Sequence, residues 1–322
     1  MSKITIKNVA EKAGVSVTSV SRVLNNRGYI SDDLRSKVME AIDELNYTPN
    51  EIARSFYKSE TKSVALIVPT IHNPFFSELA FYIERELSKD GYHLYIGNSL
   101  NDSVNEREYL KMLKEQRVDG MIVGSHNIEM EEYDKITGNI VSVERKINDE
   151  IPMIESDNYL GGKLATEKLI QQGCRKIICI SGSQTIDSPA SNRVIAYSDV
   201  MQKNNLKEQI VEIPFAERAD EKHRRVKEIF TSKIDFDGIF ADDDILASYA
   251  INEAEKFNRK IPEDLKIIGF DGTNLMQDLF PNLVTVVQPI EKIAQKSVEV
   301  LLQLIKHEQV ESLYTLPVKL NK

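Results

Sequence analysis

The chain has 322 residues, of which 41% are hydrophobic and 28% are charged, and its formal net charge is −9. This composition is typical of a globular protein with two or three domains. No apolar run approaches the ~18–20 residues that cross a bilayer, and the N-terminus has no apolar signal segment. These features predict a cytoplasmic protein with no membrane partner.

Residues 4–24, ITIKNVAEKAGVSVTSVSRVL, contain two short helical patterns separated by Gly14. The apolar residues of the first pattern share one helix face at the spacing i, i+3, i+4 and i+7: Ile6, Val9, Ala10 and Ala13. Thr5 precedes the first helix and Ser16 the second, where their side-chain oxygens can cap free N–H groups. A helix, a glycine turn and a second helix form the layout of a DNA-reading helix-turn-helix.

The opening stretch is also basic. Residues 1–30 contain five basic residues and one acidic residue, a net charge of +4 in an otherwise acidic chain. A local basic patch suits contact with the phosphates of double-stranded DNA. The alternative is an ordinary helical hairpin with exposed lysines.

A third helix is expected after Ser31, and a short connector follows it. The apolar stripe of this helix is formed by Leu34, Val38, Ala41, Ile42 and Leu45. In the connector, Pro49 favours extended backbone before it, and Asn50 can cap a helix too short to be stable alone. We therefore expect an all-α DNA-binding domain over 1–48 and a hinge and linker over 49–62.

Four motifs occur in order along the chain. They are Ile6-Lys7-x-Val9-Ala10-x3-Gly14-Val15-Ser16-x3-Val20-Ser21-Arg22-Val23-Leu24-Asn25, Tyr47-x-Pro49-Asn50-x-Ile52-Ala53-Arg54-Ser55, Asn73-Pro74-Phe75-Phe76 and Gly269-Phe270-Asp271. Together they resemble the lactose/galactose-repressor family of bacterial transcription regulators. The resemblance implies a hinge helix, including Asn50 and Ala53, that orders when two copies pair over the DNA minor groove. Phe56 stands where the family has a wedging leucine, and its ring can still unstack a base step.

The resemblance also implies which side chains meet DNA. Val17, Thr18 and Arg22 lie at the offsets that face the major groove in the family. Arg22 either binds a guanine or contacts only a phosphate, and Val17 either meets a thymine methyl group or only packs. Other predicted DNA contacts are polar, and the last three suit phosphates: Thr5, Ser16, Ser21 and Asn25.

From Ser63 onward, short β-rich apolar runs alternate with amphipathic segments. The runs are Val64–Val68, Tyr95–Ile96, Met121–Val123, Ile140–Val143, Ile177–Ile180, Ile210–Ile213, Ile239–Phe240 and Ile267–Phe270. This α/β alternation predicts parallel sheets covered by helices on both faces, and so many units favour two Rossmann-like lobes. The resemblance implies a periplasmic-binding-protein-like core over 63–322. We expect one lobe from 63–158 with 289–310, and the other from 159–288 with 311–322.

Oligomeric state follows from the same resemblance. The chain lacks the leucine-heptad tail that makes lactose-repressor tetramers. A two-fold operator and paired hinge helices require two copies. We therefore expect a homodimer.

Ligands of parallel α/β sheets bind beyond the carboxyl ends of strands, so residues that follow strands are candidate effector contacts. Phe75 can stack on a sugar ring or pack, and Asn98 can bind a hydroxyl group. Arg145 either faces the cleft or forms a surface pair. Asp157 lies at the lobe crossover and either contacts the effector or caps the next helix.

Four more candidates come from the second half of the chain. Arg193 opens a helix, and its guanidinium can donate two parallel bonds to sugar hydroxyls or a carboxylate; the matching family position is an effector contact. Asp242 matches a cleft-facing family position, although at least one residue of the Asp242–Asp244 run should cap a helix. Asp271 and Gln288 complete the set. Such groups suit a polyol, and a purine or nucleoside could use similar ones.

No motif points to an enzyme, a metal or a cofactor. Gly161-Gly162-Lys163 is followed by Leu164, so there is no P-loop, and neither G-x-G-x-x-G nor G-x-S-x-G occurs in the required context. The five histidines have no metal-ligand spacing. Cys174 and Cys179 could form a redox pair, but Cys179 lies in an apolar run typical of a buried strand.

The sequence therefore predicts a dimeric repressor that binds a palindromic operator and responds to a small sugar or sugar phosphate. Residues 151–165, IPMIESDNYLGGKLA, resemble repressors of sucrose and fructose utilisation. One alternative is a global catabolite regulator of the same family that binds a phosphorylated carrier protein. Another is a sugar-binding transport protein, which would need a signal peptide and no helix-turn-helix.

Overall fold

The computed structural model of the chain describes residues 4–25, 27–47, 60–100, 102–125, 127, 130–136, 138–182 and 188–322. The chain divides into two compact units, Met1–Thr61 and Lys62–Lys322. The predicted hinge residues Asn50, Ala53 and Phe56 lie outside the described residues.

The described part of the first unit is helical. Its helices are α1 (Ile6–Ala13), α2 (Val17–Asn25) and α3 (Asp32–Glu44). Gly14 ends α1 in the left-handed region, with a φ of 66°, which glycine adopts without a steric cost. Val9, Val20 and Val38 are fully buried where the helices meet. The other predicted apolar positions pack around them, so the predicted helix faces are confirmed.

The second unit alternates strands and helices. In chain order its elements are β1 (Ser63–Val68), α4 (Pro74–Ser88), β2 (His93–Asn98), α5 (Ser103–Lys114), β3 (Gly120–Val123), β4 (Ile140–Val143), β5 (Met153–Ser156), α6 (Asn158–Gln171), β6 (Ile177–Ser181), α7 (Ser191–Lys203), β7 (Ile210–Glu212), α8 (Ala219–Thr231), β8 (Gly238–Ala241), α9 (Asp244–Lys256), β9 (Lys266–Asp271), α10 (Asn274–Leu279), β10 (Val284–Val287), α11 (Ile290–Ile305), β11 (Leu313–Leu316) and β12 (Lys319–Leu320). None of the helices in the described ranges combines the length and apolar character that a membrane span requires.

Two six-stranded sheets define two lobes in this unit. The first sheet has the order β11-β5-β4-β3-β1-β2 and the second β12-β10-β9-β8-β6-β7. Neighbouring strands are parallel except β10 and β12. Helices α4, α5 and α11 cover the first sheet, α6 to α9 cover the second, and buried apolar side chains fill both faces of each. The prediction of two Rossmann-like lobes is confirmed.

The path of the chain between the lobes differs from the prediction at one point. Residues 311–322 were expected to belong to the second lobe. This boundary is wrong for β11, because Leu313–Leu316 pair in parallel with Met153–Ser156 of the first sheet. Only β12 joins the second sheet, with Leu320 opposite Val286. Pro317 separates the two strands, and a proline cannot donate to a strand ladder.

Candidate functional site

The exposed face of α2 is the candidate DNA-reading surface. Val20 and Val23 point into the core and fix the helix against its neighbours. Val17, Thr18 and Arg22 are exposed. Because Thr18 and Arg22 are four residues apart, they lie side by side on the helix surface. The side chains that were predicted to read the major groove therefore lie on the solvent-exposed face of α2.

The polar residues at the helix starts have partners within the unit. Ser16 Oγ accepts a hydrogen bond from the Ser19 N–H at 3.0 Å and therefore caps α2. Thr5 is the N-cap residue of α1 and forms a capping box with Asn8: its Oγ donates to Asn8 Oδ1 at 2.8 Å, and its N–H donates to the same oxygen at 2.9 Å. Ser21 is half-buried, and Asn25 is the last residue of α2.

A cavity of about 500 Å³ lies between the two lobes of the second unit. It opens at the carboxyl ends of strands from both sheets, the position that ligands take in open α/β folds. The structure brings six of the predicted effector residues into its lining: Phe75, Arg145, Arg193, Asp242, Asp271 and Gln288.

Two predicted effector residues do not line this cavity. Asn98 Oδ1 accepts a hydrogen bond from the Ile71 N–H at 2.8 Å and so holds the loop after β1. Asp157 Oδ1 accepts from the Leu160 N–H at 2.8 Å and caps α6. In both places a nearby backbone N–H engages the short side chain, so these two assignments are corrected to structural roles.

Arg193 is held rigidly in the second-lobe wall and is 7% exposed. Its Nε donates to Asn158 Oδ1 at 2.7 Å, and its Nη1 donates to the backbone oxygen of Asp242 at 2.6 Å. The guanidinium carbon lies 3.6 Å from the centroid of the Phe270 ring, a favourable cation–π distance. No described residue accepts a hydrogen bond from Nη2, so this nitrogen can donate to a ligand.

The three consecutive aspartates after β8 have different roles. Asp243 Oδ1 accepts from the Leu246 N–H at 2.6 Å and caps α9. Asp242 Oδ2 accepts from the Gly182 N–H at 2.6 Å and lines the cavity. Asp244 lies behind the cavity, and burial raises its pKa to about 7. Burial, with the neighbouring charge of Asp243, also raises the pKa of Asp242. Both groups can therefore donate or accept hydrogen bonds near neutral pH.

Asp271 and Gln288 form a link between the lobes. Asp271 has a φ of 103°, a conformation that is costly for a non-glycine residue and is often found at functional sites. Its Oδ1 accepts from Gln288 Nε2 at 2.7 Å, and Gln288 Oε1 accepts from Ser156 Oγ at 2.7 Å. Ser156 ends β5 in the first sheet, so one side chain joins both lobes. Burial raises the pKa of Asp271 well above its ordinary value.

Arg145 forms the polar part of the first-lobe wall. It is 6% exposed, and its Nη1 donates to Glu106 Oε1 at 2.6 Å and to Ser125 Oγ at 2.5 Å. Tyr133 OH also donates to Glu106, which is fully buried. Of the two predicted alternatives, the structure therefore excludes an exposed surface pair.

Aromatic and polar contacts also cross the cleft. Phe75 and Phe76 line the cavity edge-to-face, with ring centroids 5.1 Å apart. Phe215, from the loop after β7 in the second lobe, lies 6.2 Å from the Phe76 ring. On the outer rim, Glu78 accepts hydrogen bonds from the backbone N–H and from Nδ2 of Asn274, both at 2.8 Å. These contacts join the two lobes across the cleft.

Sequence reasoning missed three residues that shape the site. Phe215 follows β7, so the rule that located Phe75 would have found it. Asn158, which positions Arg193, is the first residue of a helix at a crossover. Glu106 lies inside α5, and no local pattern distinguishes it from an exposed helix glutamate.

A helix-turn-helix reader and a two-lobed binding core in one chain define a ligand-responsive DNA-binding regulator. Residues 5–50 match the family described as bacterial regulatory proteins, lacI family, and residues 166–321 match the periplasmic binding protein-like domain. The chain belongs to the lacI family of bacterial regulatory proteins. It is a transcription regulator and not an enzyme.

Two relatives illustrate the similarity in sequence. The sucrose operon repressor of Pediococcus pentosaceus is 40% identical over 322 residues, covering 99% of this chain and 98% of the relative. The ribose operon repressor of Bacillus subtilis is 36% identical over 315 residues, covering 98% of this chain and 96% of the relative. Both alignments span the DNA-reading unit and both lobes.

Two solved structures illustrate the similarity in fold. The lac repressor dimer bound to operator and the anti-inducer ONPF gives a TM-score of 0.86 at 22% identity, covering 100% of this chain and 98% of the other. A periplasmic binding protein/LacI transcriptional regulator from Alkaliphilus metalliredigens QYMF, complexed with D-xylulofuranose, gives 0.74 at 34% identity, covering 81% and 97%.

Proposed function

We propose that the protein is a cytoplasmic repressor that binds a pseudo-palindromic operator as a homodimer. Its occupancy of the operator is set by a small sugar or sugar phosphate, and sucrose and fructose are the first candidates. Similarity to sucrose operon repressors and to a regulator complexed with D-xylulofuranose supports this choice.

The composition of the inter-lobe cavity carries the proposal. Asp242 and Asp271 can accept hydrogen bonds from sugar hydroxyl groups, and Arg193 can donate to neighbouring hydroxyl oxygens. The ring of Phe75 offers an apolar surface to the C–H face of a sugar. A few convergent polar groups in a partly apolar cavity of this size are typical of a small-molecule site.

The surface of the first lobe supports dimerisation. β2 is an edge strand of its sheet, and its Tyr95 and Ile96 are 53% and 45% exposed. Phe81 on the neighbouring helix α4 is 60% exposed. Exposed apolar side chains on an edge strand and an adjacent helix suit a self-complementary two-fold interface.

Effector control requires that the ligand prefer one arrangement of the lobes. A ligand with a 100-fold preference shifts that equilibrium by about 2.7 kcal/mol. The hydrogen bonds from Gln288 to Asp271 and from Ser156 to Gln288 support such a preference, because they connect the ligand site to both sheets. Residues 49–62 then connect the core to the DNA-reading unit along the chain.

The proposal is tested with the full-length protein and a fluorescent duplex selected from random sequence. We expect nanomolar-to-submicromolar specific binding that weakens steeply with salt, and a change in that affinity on adding one member of a carbohydrate panel. Binding to no duplex at low ionic strength would refute the repressor. An affinity unmoved by any carbohydrate would refute the effector class alone.

A further inference from the structure

We infer that the effector is an uncharged carbohydrate and that Glu106 is a positioning residue that helps the cleft to reject phosphorylated sugars. The inference rests on the proposed function and refines it, since the cavity itself was compatible with either kind of sugar. It follows from the partners of the cationic groups in the lining, taken one lobe at a time.

The guanidinium of the first-lobe wall is neutralised within the protein. Glu106 is 0% exposed and lies 2.6 Å from Arg145 Nη1. Tyr133 OH donates to the same oxygen, Oε1, and the other oxygen, Oε2, accepts from Asn127 Nδ2 at 2.6 Å. Arg145 also donates to Ser125 Oγ and to the backbone oxygen of Asn127. Three of its five N–H donors are therefore engaged, and its charge is balanced by that of Glu106.

The second cation of this wall also has an acidic partner. Lys146 lines the cavity, and its Nζ lies 2.5 Å from Asp149 Oδ1. That pair is solvent-exposed, with Asp149 96% exposed, so solvent screens it and it constrains Lys146 weakly. Among the described first-lobe residues that line the cavity, both cations, Arg145 and Lys146, therefore have a carboxylate beside them.

Among the described second-lobe residues that line the cavity, acidic side chains outnumber basic ones. Arg193 faces the cavity together with Asp242, Asp243 and Asp271. A phosphate dianion placed among these groups would repel ionised carboxylates at short range, where little water screens the charges. It would also raise further the pKa of carboxyl groups that burial has already raised. Sugar hydroxyls, in contrast, can donate to an ionised carboxylate or accept from a protonated one.

The primary test needs no variant. Calorimetry on the full-length protein would compare sucrose, D-fructose, D-ribose and D-xylulose with their phosphate monoesters. We expect at least one neutral sugar to bind and its ester to bind at least about tenfold more weakly, a difference of about 1.4 kcal/mol. An ester that binds as tightly as its parent sugar would overturn the inference and leave the proposed function standing. If neither class binds while operator binding is intact, the inference and the proposed effector class fail, and the assignment as a repressor stands.

A matched pair of variants tests the role of Glu106. Glu106→Gln and Glu108→Gln each remove one negative charge from α5, but Glu108 is 63% exposed and pairs with Lys111 on the surface. We expect Glu106→Gln to improve the ester-to-sugar affinity ratio at least about fivefold, and Glu108→Gln to leave it unchanged. A loss of packing alone would weaken both ligands and not move this ratio.

An exposed position provides a second variant in case Glu106→Gln does not fold. Asp149→Asn frees Lys146 without disturbing buried groups, and we expect it to move the ratio in the same direction by a smaller factor. A ratio that stays at the wild-type value in Asp149→Asn and in folded Glu106→Gln would refute the role given to the neutralising carboxylates.

Discussion

The contact between Glu78 and Asn274 should set how readily the lobes close on an effector. Glu78→Ala removes two hydrogen bonds of 2.8 Å to a carboxylate. Asn274→Ala removes the one from Nδ2 and also the longer bond of 3.3 Å from Nδ2 to Tyr82 OH. A buried hydrogen bond to a charged group contributes about 1.5–3 kcal/mol, and solvent access at this rim reduces it to about 1 kcal/mol. The closed arrangement should therefore lose about 2 kcal/mol in Glu78→Ala and about 1 kcal/mol in Asn274→Ala.

This loss appears as weaker effector binding when the open arrangement predominates in the empty protein, because the apparent Kd scales inversely with the closed fraction. Calorimetry should show a Kd raised about 30-fold by Glu78→Ala and about fivefold by Asn274→Ala. The double variant should stay within about twofold of Glu78→Ala, since the two 2.8 Å bonds share one acceptor and only the longer bond to Tyr82 is lost in addition. Leu275→Ala, at a neighbouring position 54% exposed, is the control and should bind normally. A Kd within twofold of wild type for Glu78→Ala would refute the reasoning.

Four further substitutions test other parts of the molecule. Arg22→Ala should cost about 1–3 kcal/mol of operator affinity at one base pair, measured by anisotropy on single-base variants; a uniform loss would indicate a phosphate contact. Arg193→Ala should weaken effector binding at least about tenfold by removing a charged donor while operator affinity stays normal, and an unchanged response would remove it from the site. Val20→Ala should destabilise the DNA-reading unit by about 2 kcal/mol through lost burial and a cavity, seen as faster amide hydrogen exchange there. Gly269→Ala would place a Cβ 2.1 Å from Asp244 Oδ1 and should lower the free energy of unfolding by about 1–3 kcal/mol. An unchanged urea midpoint would show that α9 shifts to accommodate the added Cβ.

Burial on both faces of a sheet leaves a continuous apolar run, which is the clearest local signal of a strand. β1, with all of Ser63–Val68 buried, is such a strand. Prediction failed for β5 and β10, which have four residues each and include half-buried positions. Their pairing depends on neighbours brought from distant parts of the chain, and a local window does not contain that information. The residues of β11 were assigned to the wrong lobe for the same reason, since their partner β5 lies about 160 residues earlier.

A polar side chain at the end of a strand can line the cavity when a neighbouring residue caps the helix that follows. Asp157 caps α6 and does not line the cavity. After β8 the cap is Asp243, which leaves the preceding Asp242 to line the cavity. After β9 the cap is Thr273, whose Oγ accepts from the Met276 N–H at 3.3 Å. Asp271, two residues earlier, therefore lines the cavity. The free N–H groups at a helix start attract the nearest short polar side chain. A second polar residue one or two positions before that cap is therefore the stronger candidate for ligand contact, and this order can be read from the sequence alone.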